Sequence, residues 1–412
     1  MVRGVCSKAG MRIAEERWEE ELERWVQPFL SKLGRQAQQR WAPVYLRGLI
    51  LPGERKSVEP MAQRLCPGQT QQLHHFVSTS PWSTAGLEQV LLEKAEGLVG
   101  GRAAHLIVDD TGLLKQGRHS VGVAHQYCGQ VGKTANCQTL VSLTLARDEM
   151  PVPIALRLYL PEAWAQDAER RKRAGIPDTV VFRPKWKIAL EEIERALRAG
   201  VSFGDVLGDA GYGTCADFRH GLTDLGLRWS LGISPDQLMY VGSARTIAPK
   251  RRMSIGRLPR IGRATVAPRQ ARHILASMGP EAFTSVQWRR GTKGMLSADF
   301  AAIRIRVADG PRVRGHNHGP GQEAWLIGER RSNGETKYHL SNYPAETPLV
   351  DLAASLKARW SCEQAHQQMK EELGLDHYEG RSWLGLHHHA LLTMIAFAFL
   401  QHLRSIENKQ AA

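Results

Sequence analysis

The stretch Ala358-Arg359-Trp360-Ser361-Cys362-Glu363-Gln364-Ala365-His366-Gln367-Gln368-Met369-Lys370 places an arginine, a carboxylate, an imidazole and an ammonium at spacings of four, three and four. On one helix those spacings put residues 359, 363, 366 and 370 on a single face. Such a face can hold a metal through Glu363 and phosphate oxygens through Arg359 and Lys370. The ordinary alternative is a solvated face laced by i,i+4 ion pairs. Trp360 and the apolar positions Leu352, Leu356, Met369 and Leu373 argue instead for a helix packed into a core. Two further places carry acids. His105-Leu106-Ile107-Val108 reads as a short strand ending at Asp109-Asp110-Thr111, and Phe203 to Leu207 reads as a strand ending at Gly208-Asp209-Ala210-Gly211. A carboxylate at the end of a buried strand is costly unless it is paired or binds a metal. Two strand-end aspartates and a helical glutamate make an oxygen donor set suited to Mg²⁺. A metal pair there would activate water or a 3′-hydroxyl on one side of a phosphodiester and stabilise the leaving oxygen on the other.

The surrounding pattern supplies elements to position these groups. Residues 12 to 40 have helical periodicity through Trp18, Leu22, Trp25 and Phe29, with Pro28 bending or ending the first helix, and a second helical region runs from about Trp41 to Leu49. Ser57 and Pro60 mark another helix start, Thr70 caps a helix to Ser78, and residues 85 to 98 form a further helix. Short helices on short turns fit a helix-turn-helix domain or a plain bundle, and the pattern alone does not separate the two. From residue 102 strands dominate, with Val121 to Tyr127 and Thr139 to Leu145 following the first. An amphipathic helix, Lys187 to Ala199, precedes the Phe203 strand; a helix from Phe218 to Leu225 and a strand from Arg228 to Ile233 follow it. Strands, helix, strand, helix, strand is an α/β order. Residues 250 to 272 then carry eight Lys or Arg (among them Arg251 and Arg252) and no acid, which reads as a mobile basic loop for phosphate contact. Residues 283 to 345 read mainly as strands, at Ala301 to Val307, Ala324 to Glu329 and Lys337 to Leu340, and helical periodicity returns from Val350.

Composition narrows the class. The 412 residues are 42% hydrophobic, enough for a sizeable core. The 55 Lys plus Arg against 41 Asp plus Glu leave a formal charge of +14, which suits a polyanionic partner. The six cysteines are scattered without a C-x-x-C pair, as expected of free thiols in a reducing compartment, and Cys128 and Cys137 are too oddly spaced for a zinc site. The sequence opens Met-Val-Arg-Gly-Val-Cys with no apolar signal core, and Met11 is an alternative start. The longest apolar run, Ala390 to Leu400, is 11 residues and reads as a buried helix, since a bilayer span needs about 20. The expectation is a cytoplasmic protein acting at the nucleoid, with no membrane partner.

In these residues the chain resembles the DDE transposases of bacterial insertion sequences. One branch of them carries Y-x2-R-x3-E-x6-K around its third acid. Arg359, Glu363 and Lys370 fit that signature, while its tyrosine position falls on Leu356. The branch has its first acid in an Asp-Thr step, which selects Asp110 over Asp109, and its second after the fourth strand, which matches Asp209. Asp110 and Asp209 lie 99 residues apart, and Asp209 and Glu363 lie 154 apart, room for the β-rich insertion typical of the branch. Lys-Gln-Gly-Arg-His-Ser-Val-Gly-Val-Ala-His-Gln-Tyr-Cys-Gly and Cys-Glu-Gln-Ala-His-Gln-Gln-Met-Lys-Glu-Glu-Leu-Gly-Leu-Asp-His also look typical of such transposases.

The resemblance implies an RNase H-like mixed sheet with flanking helices, a β-rich insertion before the last catalytic helix, and an N-terminal all-α domain. The boundaries would be a helical DNA-binding domain at 12–98, a first part of the core at 102–234, the insertion with its basic loop at 235–347, and the closing helices at 348–405. It implies metal ligation by Asp110, Asp209 and Glu363, with Mg²⁺ as the ion and Mn²⁺ as its substitute. Arg359 and Lys370 would hold phosphates of double-stranded DNA, both element ends and target, and the enzyme would work as a dimer on paired ends. Lys115, Lys293 and Arg381 are further phosphate candidates, and His366 stands beside Glu363. Trp288 could stack on an extruded base or serve as a core tryptophan. His387-His388-His389 resembles a metal tract, but consecutive helical residues face different ways and an ordinary buried role is favoured. The rival readings are an RNase H-like nuclease that does not join strands, and a domesticated DNA-binding protein without catalysis, which predicts a broken acid trio. A metabolic α/β enzyme would leave the basic loop unexplained, and no G-x-G-x-x-G or P-loop follows a strand.

Overall fold

A computed structural model describes residues 8–248, 261–291 and 294–411. Five helices come first: α1 (Lys8–Leu30), α2 (Gln36–Ile50), α3 (Val58–Leu65), α4 (Thr70–Ser78) and α5 (Ala85–Val99). Four strands follow: β1 (His105–Leu114), β2 (Ala124–Cys128), β3 (Lys133–Arg147) and β4 (Met150–Leu158). After α6 (Glu162–Ala165), α7 (Ala168–Ala174) and α8 (Lys185–Arg198) come β5 (Asp205–Gly208), α9 (Ala210–Gly213), α10 (Ala216–Asp224) and β6 (Trp229–Ile233). A β-rich stretch holds β7 (Leu238–Val241), β8 (Thr246–Ile247), β9 (Arg263–Ala264), β10 (Arg269–Gln270), α11 (Ala271–Ala276), β11 (Thr284–Gly291), β12 (Gly294–Val307), β13 (Glu323–Arg330) and β14 (Thr336–Ser341). The chain closes with α12 (Leu349–Ala358), α13 (Trp360–Glu371) and α14 (Trp383–Ala411).

Two compact units divide the chain. The first comprises the chain up to Ala104, Asp109–Phe203 and everything from Ser361; the second comprises His105–Val108 and Gly204–Trp360. In the first unit β3 pairs antiparallel with β2 and β4 and neighbours β1. In the second, His105–Val108 of β1 pairs parallel with β5, β5 pairs parallel with β6, and β14, β13, β12, β7 and β10 extend that sheet antiparallel. Strands β1, β3 and β4 in succession, then β5 and β6 parallel after a helix, are the strand set of an RNase H-like mixed sheet. The expected fold class holds, with α1–α5 as the N-terminal helical region and β7–β14 ahead of the last helices.

The core of the first unit gathers on α14, which packs against β4, α2, α4 and α5. By length and composition α14 could cross a bilayer, but 78% of its apolar window is buried inside the protein. It is the buried helix that the Ala390–Leu400 run indicated. The histidine run lies on it: His388 and His389 are fully buried and bonded to backbone carbonyls, with His388 stacked on Trp82 at 3.4 Å between ring centroids. These are core histidines, not a metal tract.

Several local readings are corrected. The expected 12–40 helix is broken at residues 31–35, so α2 takes in residues from 36 on, and Pro28 sits in the last turn of α1. Gln69, not Thr70, is the N-cap of α4. Strand β4 was not expected from the sequence, where Pro151 and Pro153 interrupt its pattern; among the described residues it pairs with β3 alone, and edge strands tolerate proline. Its turn is the two-residue primed kind, with Asp148 and Glu149 at φ 52° and 60°. The basic stretch is not a plain loop where it is described: β9 pairs β8, β10 pairs β7, and Arg272, the second residue of α11, pairs with Asp236. Its residues 250–260, with Arg251 and Arg252, lie outside the described residues, as does Lys293.

Candidate active site

Strand β1 does not stop at its acids. The parallel pairing with β5 ends at Val108↔Gly208, yet the strand runs on to Leu114, with Lys115 N–H donating to the Asn136 carbonyl at 3.0 Å. Gly112 makes room for that run, since a Cβ there would stand 2.6 Å from Cys128 Sγ. Asp109 and Asp110 are therefore mid-strand residues, and strand alternation turns them to opposite faces. Asp110 is half-buried, and its Oδ2 accepts from Lys185 Nζ at 2.6 Å, from the first residue of α8. Asp109 is 9% exposed and stands with Cys362 and His366 of α13, the three donor atoms within 4.8 Å of one another.

Around Asp109 the first unit holds a buried polar network. Ser142 Oγ, on β3, donates to the Asp109 carbonyl at 3.0 Å and lies 2.8 Å from His366 Nε2. Cys362 Sγ lies 3.6 Å from that nitrogen and 3.3 Å from Thr144 Oγ1. The buried face of α13 is thus Cys362, Ala365, His366 and Met369, whereas Glu363 is exposed. This revises the expectation of one shared face. His366 turns into the protein and Glu363 out of it. Arg359 has helical dihedrals, φ −55° and ψ −29°, but it is the C-cap of α12, and α13 starts one residue later. Trp360, expected in the core, is 42% exposed, while Leu352, Leu356, Met369 and Leu373 are buried as expected.

Of the basic candidates of the first unit, Lys115 and Lys370 are half-buried and Arg381 is exposed. Lys115 Nζ donates to the Tyr378 carbonyl at 2.7 Å, and burial lowers its pKa. It lines a polar cleft with Arg55, His119, His377 and Arg381. Lys370 is also lowered by burial, and its Nζ lies 3.4 Å from Gln130 Oε1.

In the second unit Asp209 follows β5 directly and caps α9. Its Oδ1 accepts from Gly211 N at 2.9 Å and Tyr212 N at 3.3 Å. The turn presses on β6 through Gly232, where a Cβ would stand 2.9 Å from Ala210 N and 3.1 Å from the Asp209 carbonyl carbon. Sequence and structure agree on this local design, a strand that delivers an acid at its carboxyl end. Trp288 is partly buried against Val286, Phe300 and Leu356, edge-on to Phe300 at 6.1 Å. The Lys357 ammonium lies 4.6 Å from its ring centroid, and the β11–β12 register shifts at this point. Its surroundings are those of a core tryptophan.

Sequence reasoning missed Lys185, Ser142 and Thr144. Lys185 gave no pattern signal. The two hydroxyls did leave one, interrupting the apolar run Leu140 to Ala146 at fully buried positions.

A DDE active site needs a divalent cation. In the first unit the half-buried Asp110 and the exposed Glu363 carry carboxylate oxygens, as does the half-buried Asp209 of the second unit, and oxygen is the donor Mg²⁺ takes. Asp109, Cys362 and His366 offer one oxygen, one sulfur and one nitrogen, a set for a softer ion.

The solved piggyBac transposase synaptic complex with hairpin DNA aligns with 96% of this chain and 74% of that one, at a TM-score of 0.45 and 10% identity. The probable transposase for insertion sequence element IS701 of Microchaete diplosiphon is 30% identical over 195 residues, 47% of this chain. Those residues are 48% of the relative, so the chain spans about half the length of the curated relative it matches. The family model for DDE superfamily endonucleases matches residues 28–295, more than half of the chain, and takes in Asp109, Asp110 and Asp209. On that match the chain belongs to the DDE superfamily of endonucleases.

Proposed function

We propose that this chain is a DNA transposase, which cleaves the ends of an insertion sequence and joins them to target DNA by phosphoryl transfer. Membership of the DDE endonuclease superfamily carries the reading. Support comes from the similarity to an insertion-sequence transposase across 48% of that protein's length, the +14 charge, and acids on β1, after β5 and on α13.

Asp110, Asp209 and Glu363 would hold the metal, Mg²⁺ with Mn²⁺ as its substitute. When bound, a cation pair supplies a nucleophile at neutral pH and neutralises charge on the leaving oxygen. The chain's own part is to orient. The amides of Gly211 and Tyr212 fix the Asp209 carboxylate, and the β6 glycine lets that turn sit close to its strand. Arg359, Lys370, Lys115 and the basic residues Arg251, Arg252 and Lys293 would hold phosphates of double-stranded DNA. Helices α1–α5 would form the DNA-binding domain, and two copies would act on paired ends within the bacterial cytoplasm.

One observation favours a second assignment on β1. Asp109, not Asp110, faces the helix that bears Glu363, while Asp110 is tied to Lys185. On this reading Asp109 is the first metal ligand and Asp110 anchors α8.

The test is cleavage of DNA bearing the element's own ends, with Mg²⁺ or Mn²⁺, comparing the wild type with Glu363→Gln. Nicking and joining by the wild type, and DNA binding alone by the variant, are expected. Nicking without joining would leave a nuclease. Equal binding with no cutting under any metal would leave a DNA-binding protein.

A further inference from the structure

We infer that Ser142 and His366 are positioning residues for the catalytic carboxylates, joining helix α13 to strand β1 through a buried two-bond bridge. The inference rests on the proposed role of Glu363 as a metal ligand. The bridge runs from His366 Nε2 to Ser142 Oγ at 2.8 Å, and from Ser142 Oγ to the backbone oxygen of Asp109 at 3.0 Å. Its members are 7%, 0% and 9% exposed, so water does not compete for them.

The polarity of the bridge follows from counting hydrogens. A serine hydroxyl has one to give. The Asp109 carbonyl can only accept, so Ser142 gives it there. The 2.8 Å contact must then be donated by the imidazole, which fixes His366 with a proton on Nε2. Ser142 in turn takes up the donor of α13 with a lone pair. Neither bond survives alone at full value, because a half-satisfied buried network leaves a donor or acceptor stranded.

The position on the helix gives the bridge its consequence. Cys362 and His366 are four residues apart and face inward together, with Cys362 Sγ held by Thr144 on the same strand as Ser142. Glu363 lies between them in sequence. An α-helix turns about 100° per residue. A slip of one residue would swing Glu363 a quarter-turn away, and the inward pair prevents it. At the other end the bridge grips β1 at the peptide of Asp109 and Asp110, so it sets the strand whichever of the two binds metal. The buried Ser142 hydroxyl, within the run Leu140 to Ala146, has this as its function.

The experiment uses the full chain and reads Mn²⁺ binding by electron paramagnetic resonance, beside cleavage of the DNA ends as Mg²⁺ is varied. The variants are Ser142→Ala, His366→Phe and His366→Gln, the last keeping an N–H donor of similar reach. Ser142→Ala and His366→Phe are expected to weaken Mn²⁺ binding about 10–100-fold, the scale of lost outer-sphere support. Metal-free DNA binding stays near wild type, the two variants melt somewhat lower because each strands a buried partner, and His366→Gln recovers most of both losses. Wild-type Mn²⁺ affinity in all three overturns the inference, and so does a folded His366→Gln as weak as His366→Phe. Should the phenylalanine variant fail to fold, ¹⁵N spectra of the wild-type histidines decide: an unprotonated Nε2 on His366 overturns the bridge. A wild type that binds no Mn²⁺ and cuts no DNA sinks the role of Glu363 instead, and the spectra still judge the bridge.

Discussion

The ammonium of Lys185 stands 2.6 Å from Oδ2 of Asp110, while the neighbouring Asp109 keeps company with Cys362 and His366. Adjacent acids on one strand thus meet different helices. Their amide variants separate the two assignments. With Asp110 as the ligand, Asp110→Asn abolishes cleavage, Asp109→Asn retains it, and Lys185→Met tightens Mn²⁺ binding by removing a competing cation. The opposite pattern, with Lys185→Met neutral toward metal, moves the ligand to Asp109. The ion pair itself is partly exposed and contributes little to stability, at most about 1 kcal/mol.

The turn that presents Asp209 depends on a missing side chain. A Cβ on Gly232 would meet backbone atoms of Asp209 and Ala210 at 3.1 and 2.9 Å, and backbone cannot rotate aside. Gly232→Ala is expected to cost about 1–3 kcal/mol, as overpacking does. It should cut metal-dependent cleavage more than DNA binding. Urea unfolding beside a cleavage assay checks both, and unchanged cleavage would mean the turn tolerates displacement.

Much of this was legible beforehand, for stated reasons. Acids at Asp110, Asp209 and Glu363 lie on elements whose periodicity is strong: an apolar run, a second apolar run and an amphipathic helix. Edge strand β4 was not legible, because Pro151 and Pro153 interrupt its pattern and nothing in the sequence shows that the strand lies at a sheet edge. The split of Glu363 and His366 to outside and inside was hidden too. Residues three apart differ by about 60° on a helix, and only the packing of α13 shows where its buried boundary falls. Lys185 could not be found from pattern, since ion pairs across 75 residues leave no local trace.

In the second unit Glu329 is 2% exposed and meets Arg331 at 3.0 Å, His339 at 3.6 Å and the Lys357 ammonium. Burial alone would raise its pKa; His339 and Lys357 overcome that and hold it well below the usual carboxylate range. Removing one partner of a buried pair is costly. Glu329→Gln is expected to lose about 3–5 kcal/mol, and to loosen Lys357 from the face of Trp288. The tryptophan fluorescence of the variant reports the second effect. A loss below 1 kcal/mol on denaturant titration would mean solvent reaches the cluster.

His389 makes the fold acid-sensitive. It is fully buried, with Nδ1 2.9 Å from Tyr45 Oη and Nε2 3.1 Å from the Gly374 carbonyl. The neutral ring satisfies both contacts, accepting from the tyrosine and donating to the carbonyl. Burial pushes its pKa down to about 4, against about 6.5 in an unfolded chain. As pH falls below about 6.5 the unfolded chain takes up the proton first, so stability is lost progressively down to about pH 4. That shift corresponds to about 3 kcal/mol at most. His387 and His388, also pushed down to about 4, add to the same slope. His389→Leu should melt lower than the wild type at pH 7, because Tyr45 Oη loses its acceptor. Its stability should then fall less steeply between pH 7 and pH 5, so the two proteins converge in acid. Denaturant titrations at pH 7, 6 and 5 measure this, and parallel slopes would place the acid-labile group elsewhere in the core.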